Sequence, residues 1–193
     1  PPRSTLFPYT TLSDLMDLSH EIQSKIMEPI TRALANEGRT YKGILYGGLI
    51  LTKSGPRVIE FNCRFGDPET QVLLPRLEKD LLEIILSINA GNLNETKVEW
   101  NDNHSLTVVL ASSGYPNVFQ TGYEISGLED LHQNINIFHS GTKRVQGKFV
   151  TNGGRVLSLS TISNDLASAS SLIYSNIDKV NFEGAYYRHD IGK

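Results

Sequence analysis

The chain has 193 residues, a net charge of −3, a 39% hydrophobic fraction and 16 glycines. That is a globular composition, able to build a core and far from wholesale disorder. The mildly acidic balance gives no electrostatic footprint for general nucleic-acid binding, no apolar run approaches the roughly 20 residues of a membrane span, and one cysteine, Cys63, excludes an internal disulfide or a cysteine-rich zinc site.

Residues 1–12 show neither helical nor strand periodicity; the run Pro1-Pro2-Arg3-Ser4-Thr5-Leu6-Phe7-Pro8 reads like translated sequencing-adapter sequence, and residues 1–12 are set aside as a non-native scar or a disordered stretch. Nothing there reads as a signal peptide. Ser13 is placed to cap a helix, with Asp14 in its first turn. Leu15, Leu18, Ile22, Ile26, Ile30 and Leu34 continue one apolar stripe. Pro29 predicts a kink or two abutting helices, and Gly38 is the natural stop. Tyr41 to Thr52 and Arg57 to Arg64 read as the two strands of a hairpin joined by Lys53-Ser54-Gly55-Pro56. On the second strand, Ile59, Phe61 and Cys63 point one way; Val58, Glu60, Asn62 and Arg64 point the other.

Asp67-Pro68-Glu69 is a good helix start, with Asp67 as the cap and Pro68 at the first helical position. Pro75 ends that helix early. A further helix carries Leu77, Leu81, Ile84, Ile85 and Ile88 and stops at Gly91. The polar stretch 92–103 is the candidate boundary between a first domain, 13–100, and a second, 101–193. In the second, strands are predicted over 105–111, 135–139, 149–151 and 155–161, and a helix over 166–180. Asn152-Gly153-Gly154 carries a hairpin signal, its glycines supplying positive φ.

The polar strand face holds the candidate chemistry. Glu60 and Asn62 are two residues apart, so their Cα atoms lie about 7 Å apart at about 3.3 Å per residue. Extended side chains at that spacing do not bond each other directly, but two oxygen donors can converge on a hard cation. Magnesium favours one or two protein oxygens plus nucleotide phosphates. Arg64, one alternation further, offers a planar fork for phosphate. The competing reading is an ordinary solvated strand face. The five histidines are scattered without metal-ligand spacing, so His139 is expected to be structural. Arg155 is an unassigned cation, able to face a site if the second domain packs there. Tyr186-Tyr187 is expected to serve packing.

The run Val58-Ile59-Glu60-Phe61-Asn62-Cys63-Arg64-Phe65-Gly66-Asp67-Pro68-Glu69-Thr70-Gln71, followed by Leu74-Pro75-Arg76-Leu77, closely resembles the signature of the phosphoribosylamine–glycine ligases, members of the ATP-grasp superfamily. The resemblance continues through Tyr41-Lys42-Gly43, Ser113-Gly114-Tyr115-Pro116, His139-Ser140-Gly141-Thr142, Thr151-Asn152-Gly153-Gly154-Arg155 and Tyr187-Arg188-His189-Asp190-Ile191-Gly192. It implies an α+β fold: the distal half of an ATP-grasp core with an antiparallel sheet, then a small α+β C-terminal domain. It also implies ATP-dependent joining of glycine to 5-phosphoribosylamine in purine synthesis, in the cytoplasm, with Mg2+ or Mn2+ as cofactor. Glu60 and Asn62 are then the metal ligands, and Arg64 contacts phosphate or acyl phosphate as a catalytic and nucleotide-binding residue. Asp67 and Glu69 are candidates for orienting the amine, with helix capping as the alternative. No nucleic-acid or membrane partner is implied.

Three departures from the family pattern stand out. Cys63 replaces a small residue and is expected to be a buried, inert thiol. The preceding strand lacks, near Gly47, the acid that many ATP-grasp relatives carry. The substrate domain, adenine pocket and phosphate-covering loop would all lie upstream of Ser13. The chain is therefore expected to be the C-terminal half of a ligase, with the upstream half as its partner and no turnover alone. Alternatives are another ATP-grasp carboxylate–amine ligase, disfavoured by residues 67–71 and 152–156, and a non-catalytic piece that keeps only the fold.

Overall fold

A computed structural model describes residues 12–192. The scar expected over residues 1–12 therefore lies, apart from Leu12, outside the described residues. The contacts divide the chain into two compact units, one running to Gly66 with Ile85–Leu93 added, the other comprising Asp67–Ile84 and Asn94 onward. The segment after Gly66 thus packs with the C-terminal residues, although the polar stretch that reads as a linker lies some 25 residues further on. No helix among the described residues is long and apolar enough to cross a membrane.

In the first unit, α1 (Leu12–Ile22) already includes Ser13 and passes through a π-helical turn, Gln23–Met27, into α2 (Glu28–Asn36). Pro29 sits in the first turn of α2, where its missing N–H is least costly. The wider turn comes just before it: the Glu28 N–H reaches back five residues to the Gln23 carbonyl. Helix α2 stops as expected. Gly38 has φ 70°, its N–H donates to the Ala35 carbonyl, and the Arg39 N–H donates to the Leu34 carbonyl at 2.9 Å, a Schellman closure.

Strands β1 (Tyr46–Thr52) and β2 (Gly55–Asn62) pair antiparallel around a two-residue turn. The first strand is shorter than the sequence predicts, because Tyr41 anchors an irregular lead-in, its hydroxyl donating to the carbonyls of Ile44 and Cys63. The register slips between Gly48 and Leu49, so Gly48 faces Glu60 and Leu49 faces Val58, leaving Ile59 as a bulge. That bulge interrupts the alternation. The expected core face of Ile59, Phe61 and Cys63 survives only at Phe61, which is half-buried; Ile59 is 66% exposed.

After β2 the chain forms two short helices, α3 (Thr70–Leu73) and α4 (Leu81–Ala90), and the second unit is built on the antiparallel sheet β4-β7-β3-β8, with β3 His104–Ser112, β4 Asn136–His139, β7 Arg155–Ser163 and β8 Ala185–Tyr186. Leu106, Val108, Leu110, Leu157 and Leu159 join Ala169 and Ile173 of α5 (Leu166–Tyr174), with Ile177, Val180 and Phe182 beyond it. Asp165 caps α5: its carboxylate accepts from the Ser168 N–H and hydroxyl, and the N–H bond in particular holds it below the usual carboxylate range. The predicted helix to Val180 divides, Ile177–Lys179 being a 3-10 turn.

Tyr187 packs at the edge of this core. Its hydroxyl bonds the Asp178 carboxylate, and that bond, with burial, pushes its pKa up to about 12. Tyr186 is 59% exposed and adds no packing of that kind.

Asn152-Gly153-Gly154 does not form a hairpin. Strand β6 (Lys148–Thr151) pairs with β5 (Thr142–Val145), while β7 belongs to the four-stranded sheet, so these residues carry the chain from one sheet to the other. The real hairpin turn is Gln146-Gly147, with φ 49° and 83°. Gly153 and Gly154 are needed for space instead. A Cβ on Gly154 would stand 2.1 Å from the Tyr115 ring, and one on Gly153 would stand 3.0 Å from the Gly141 Cα. Gly154→Ala is expected to cost about 1–3 kcal/mol, read as a lower denaturant midpoint. The cost should shrink in a Tyr115→Ala background, because the two sites share one contact.

Candidate functional site

In the first unit, Glu60 and Asn62 do meet. The Asn62 Nδ2 donates to Glu60 Oε1 at 2.9 Å, a bond that the Cα spacing of an extended strand does not by itself imply. The strand twist at the bulge brings the two side chains over the same patch. Gly48 sits opposite Glu60, and a Cβ there would lie 3.1 Å from the Glu60 Cγ, so the glycine leaves the carboxylate its hollow. Tyr46 stands opposite Asn62, so neither cross-strand position supplies an acid. The pair presents a carboxylate and an amide oxygen, a hard donor set of the type and number magnesium takes from protein. Arg64 is exposed, and its Nη1 donates to the Phe65 carbonyl at 2.9 Å. Cys63 is exposed as well, against expectation; it lies past the last paired residue of β2, where no strand partner continues to cover it.

In the second unit, Asp67 is not the cap of a helix. Residues 67–69 form a turn, and α3 spans only Thr70–Leu73 before Pro75 converts it to a 3-10 turn. The Asp67 carboxylate is taken instead by side chains. Gln71 Nε2 donates to Oδ1 at 2.8 Å, and Arg155 Nε stands 3.8 Å from Oδ2 while its Nη1 donates to the Asp67 carbonyl. Glu69 occupies the cap position of α3 without capping through its side chain. Gln71 carried a readable signal, its spacing of four from Asp67. Arg155, 88 residues away, carried none beyond its charge.

Two hollows flank this segment. One, about 280 Å³, is lined by Pro68, Thr107, Val109, Arg155, Tyr187 and Arg188. The other, about 540 Å³, runs between Thr70, Gln71 and Leu74 and the β4 residues Asn136, Phe138 and His139. His139 stacks on Phe149 at 4.4 Å, and its Nδ1 lies 3.0 Å from the Thr142 hydroxyl.

Comparison with known proteins decides the family. The phosphoribosylglycinamide synthetase ATP-grasp (A) domain matches residues 8–70 and the C domain of the same synthetase matches residues 105–193. The chain belongs to the phosphoribosylglycinamide synthetase family. It is 48% identical over 172 residues to the phosphoribosylamine–glycine ligase of Caldanaerobacter subterraneus, covering 89% of this chain and 41% of that relative. The crystal structure of the Thermotoga maritima phosphoribosylamine–glycine ligase superposes with a TM-score of 0.75 at 34% identity, over 95% of this chain and 44% of that one. A biotin carboxylase from Campylobacter jejuni reaches a TM-score of 0.56 at 13% identity, over 89% and 38%, a likeness of fold alone. The chain thus spans about two fifths of the length of these ligases. Its α+β architecture is that of the distal ATP-grasp region and the C domain.

Burial, and then the Arg144 guanidinium, push the His139 imidazole below its ordinary range. Above about pH 6.5 it is neutral whether the chain is folded or not, and its full contribution to stability is present. As pH falls below that, the unfolded chain binds a proton the folded one resists, and stability is lost toward the depressed folded pKa. His139→Gln is expected to flatten the fall in melting temperature across that acid window.

Proposed function

We propose that the intact protein joins glycine to 5-phosphoribosylamine at the expense of ATP, giving glycinamide ribonucleotide, ADP and phosphate. The observation that carries this reading is the Glu60–Asn62 pair, two hard oxygen donors on one strand face, with Gly48 leaving room for the carboxylate. Family membership and the similarity to named phosphoribosylamine–glycine ligases support it.

Glu60 and Asn62 hold the divalent ion, magnesium or manganese; when bound with nucleotide it neutralises phosphate charge. Asn62 Nδ2 is engaged with Glu60 Oε1, which leaves the Asn62 amide oxygen and the second Glu60 carboxylate oxygen as the donors for that ion. Arg64 exchanges the Phe65 carbonyl for a phosphate or acyl-phosphate oxygen, a stronger, charge-assisted partner. The glycine carboxylate, activated as acyl phosphate, is attacked by the amine of phosphoribosylamine. Asp67 and Glu69 orient that amine, Asp67 through a carboxylate already held in place. The adenine pocket and the loop over the phosphates belong to the upstream half, and the reaction takes place in the cytoplasm.

The test is ADP release by the intact protein given ATP, glycine and freshly generated phosphoribosylamine. Omitting either co-substrate should abolish turnover, and Glu60→Ala should lower it about 100-fold or more. ADP release that ignores glycine and the amine would sink the assignment. The 193-residue chain, assayed alone, is expected to release no glycine-dependent ADP.

A further inference from the structure

Two side chains to which the proposed reaction assigns no part, Gln71 and Arg155, contact Asp67. Gln71 is 9% exposed and donates Nε2 to Asp67 Oδ1 at 2.8 Å, while its own Oε1 is buried without a hydrogen-bond partner. A carboxylate can only accept, so the amide must turn its nitrogen toward Asp67 and leave its oxygen stranded. A buried acceptor without a partner is destabilising, and an apolar side chain of similar shape would avoid that penalty. Gln71 is therefore poorly explained as a packing residue, and well explained as a holder of Asp67.

Arg155 approaches from the other side. It opens β7 where the register slips: Leu110 faces Leu157 but Ala111 faces Arg155, leaving Val156 as a bulge. Bulges of this kind re-aim a side chain. Just before it, Gly154 lies against the Tyr115 ring and Gly153 against Gly141, so the backbone leading to Arg155 has little freedom. The guanidinium then reaches both the Asp67 carbonyl and, at 3.8 Å, its carboxylate. With Asp67 held on both sides, 42% of its side-chain surface still faces solvent.

We infer that Gln71 and Arg155 are positioning residues that fix the Asp67 carboxylate in one orientation for the amine substrate, and that the tight Gly153-Gly154 crossing serves to deliver Arg155 to it. This rests on the proposed role of Asp67. A prepositioned carboxylate loses less freedom when substrate binds, and an acid displaced by about 1 Å costs far more in rate than in folding.

The experiment compares Asp67→Asn, Arg155→Gln, Arg155→Lys, Gln71→Met and the double variant Asp67→Asn/Arg155→Gln in the intact ligase, by steady-state kinetics and thermal melting. Arg155→Gln should raise KM for phosphoribosylamine about tenfold, with KM for ATP held within about twofold, and Arg155→Lys should recover part of the loss. Gln71→Met should lower kcat/KM for the amine about five- to tenfold while the melting temperature stays level or rises, the opposite of a packing defect. The double variant should be no worse than Asp67→Asn alone. Multiplying losses in the double variant, a silent Arg155→Gln, or equal effects on amine and ATP would overturn the inference while leaving the reaction assignment intact. An Asp67→Asn enzyme with undiminished activity would overturn both this inference and the role given to Asp67.

Discussion

Strand β7 is the constraint on which the second unit depends. It lies between β3 and β4, and from Val156 to Thr161 almost nothing of it reaches solvent. Its leucines meet α5 through an apolar layer, whereas Ser158 and Ser160 alternate onto the opposite side, where Ser160 donates to the Thr107 hydroxyl. A strand covered on both faces has no freedom to slip, because a shift of one residue would set serines where Leu157 and Leu159 now meet the apolar layer. Arg155, at its first residue, inherits that rigidity.

The first unit is of another kind. A two-stranded hairpin has little stability of its own, and β1–β2 gains its support from the helical segment before it. The Met27 sulfur and the Phe61 ring both close around Gly47. Within that modest frame one irregularity matters: the bulge at Ile59 gives up part of an apolar face, and Glu60 and Asn62 come directly after it along the strand. Cross-strand glycines at 47 and 48 serve different ends, one admitting apolar packing and the other leaving room for a carboxylate.

Much of the secondary structure was legible because it rests on local physics. Gly38 and Gly91 end helices where a left-handed residue is needed, and Pro75 ends α3 through its missing donor. Other readings failed where a contact distant in sequence overrode a local preference. Asp67 followed by proline reads as a cap, yet a side-chain amide and a guanidinium from 88 residues away claim its oxygens. Asn152-Gly153-Gly154 reads as a hairpin turn because glycine is read as freedom in φ; here its value is the absence of a Cβ beside an aromatic ring and a second glycine.

From the sequence alone come the family motif, the alternation that puts Glu60 and Asn62 on one side of a strand, and most element ends. These arise from bond geometry and from side-chain chemistry within a few residues. Only the tertiary structure decided that Glu60 and Asn62 touch, that Ile59 and Cys63 stand exposed, and that Asp67 is held by Gln71 and Arg155. Strand register, bulges and close glycine contacts arise when two distant segments compete for the same space, and no local pattern records the outcome of that competition.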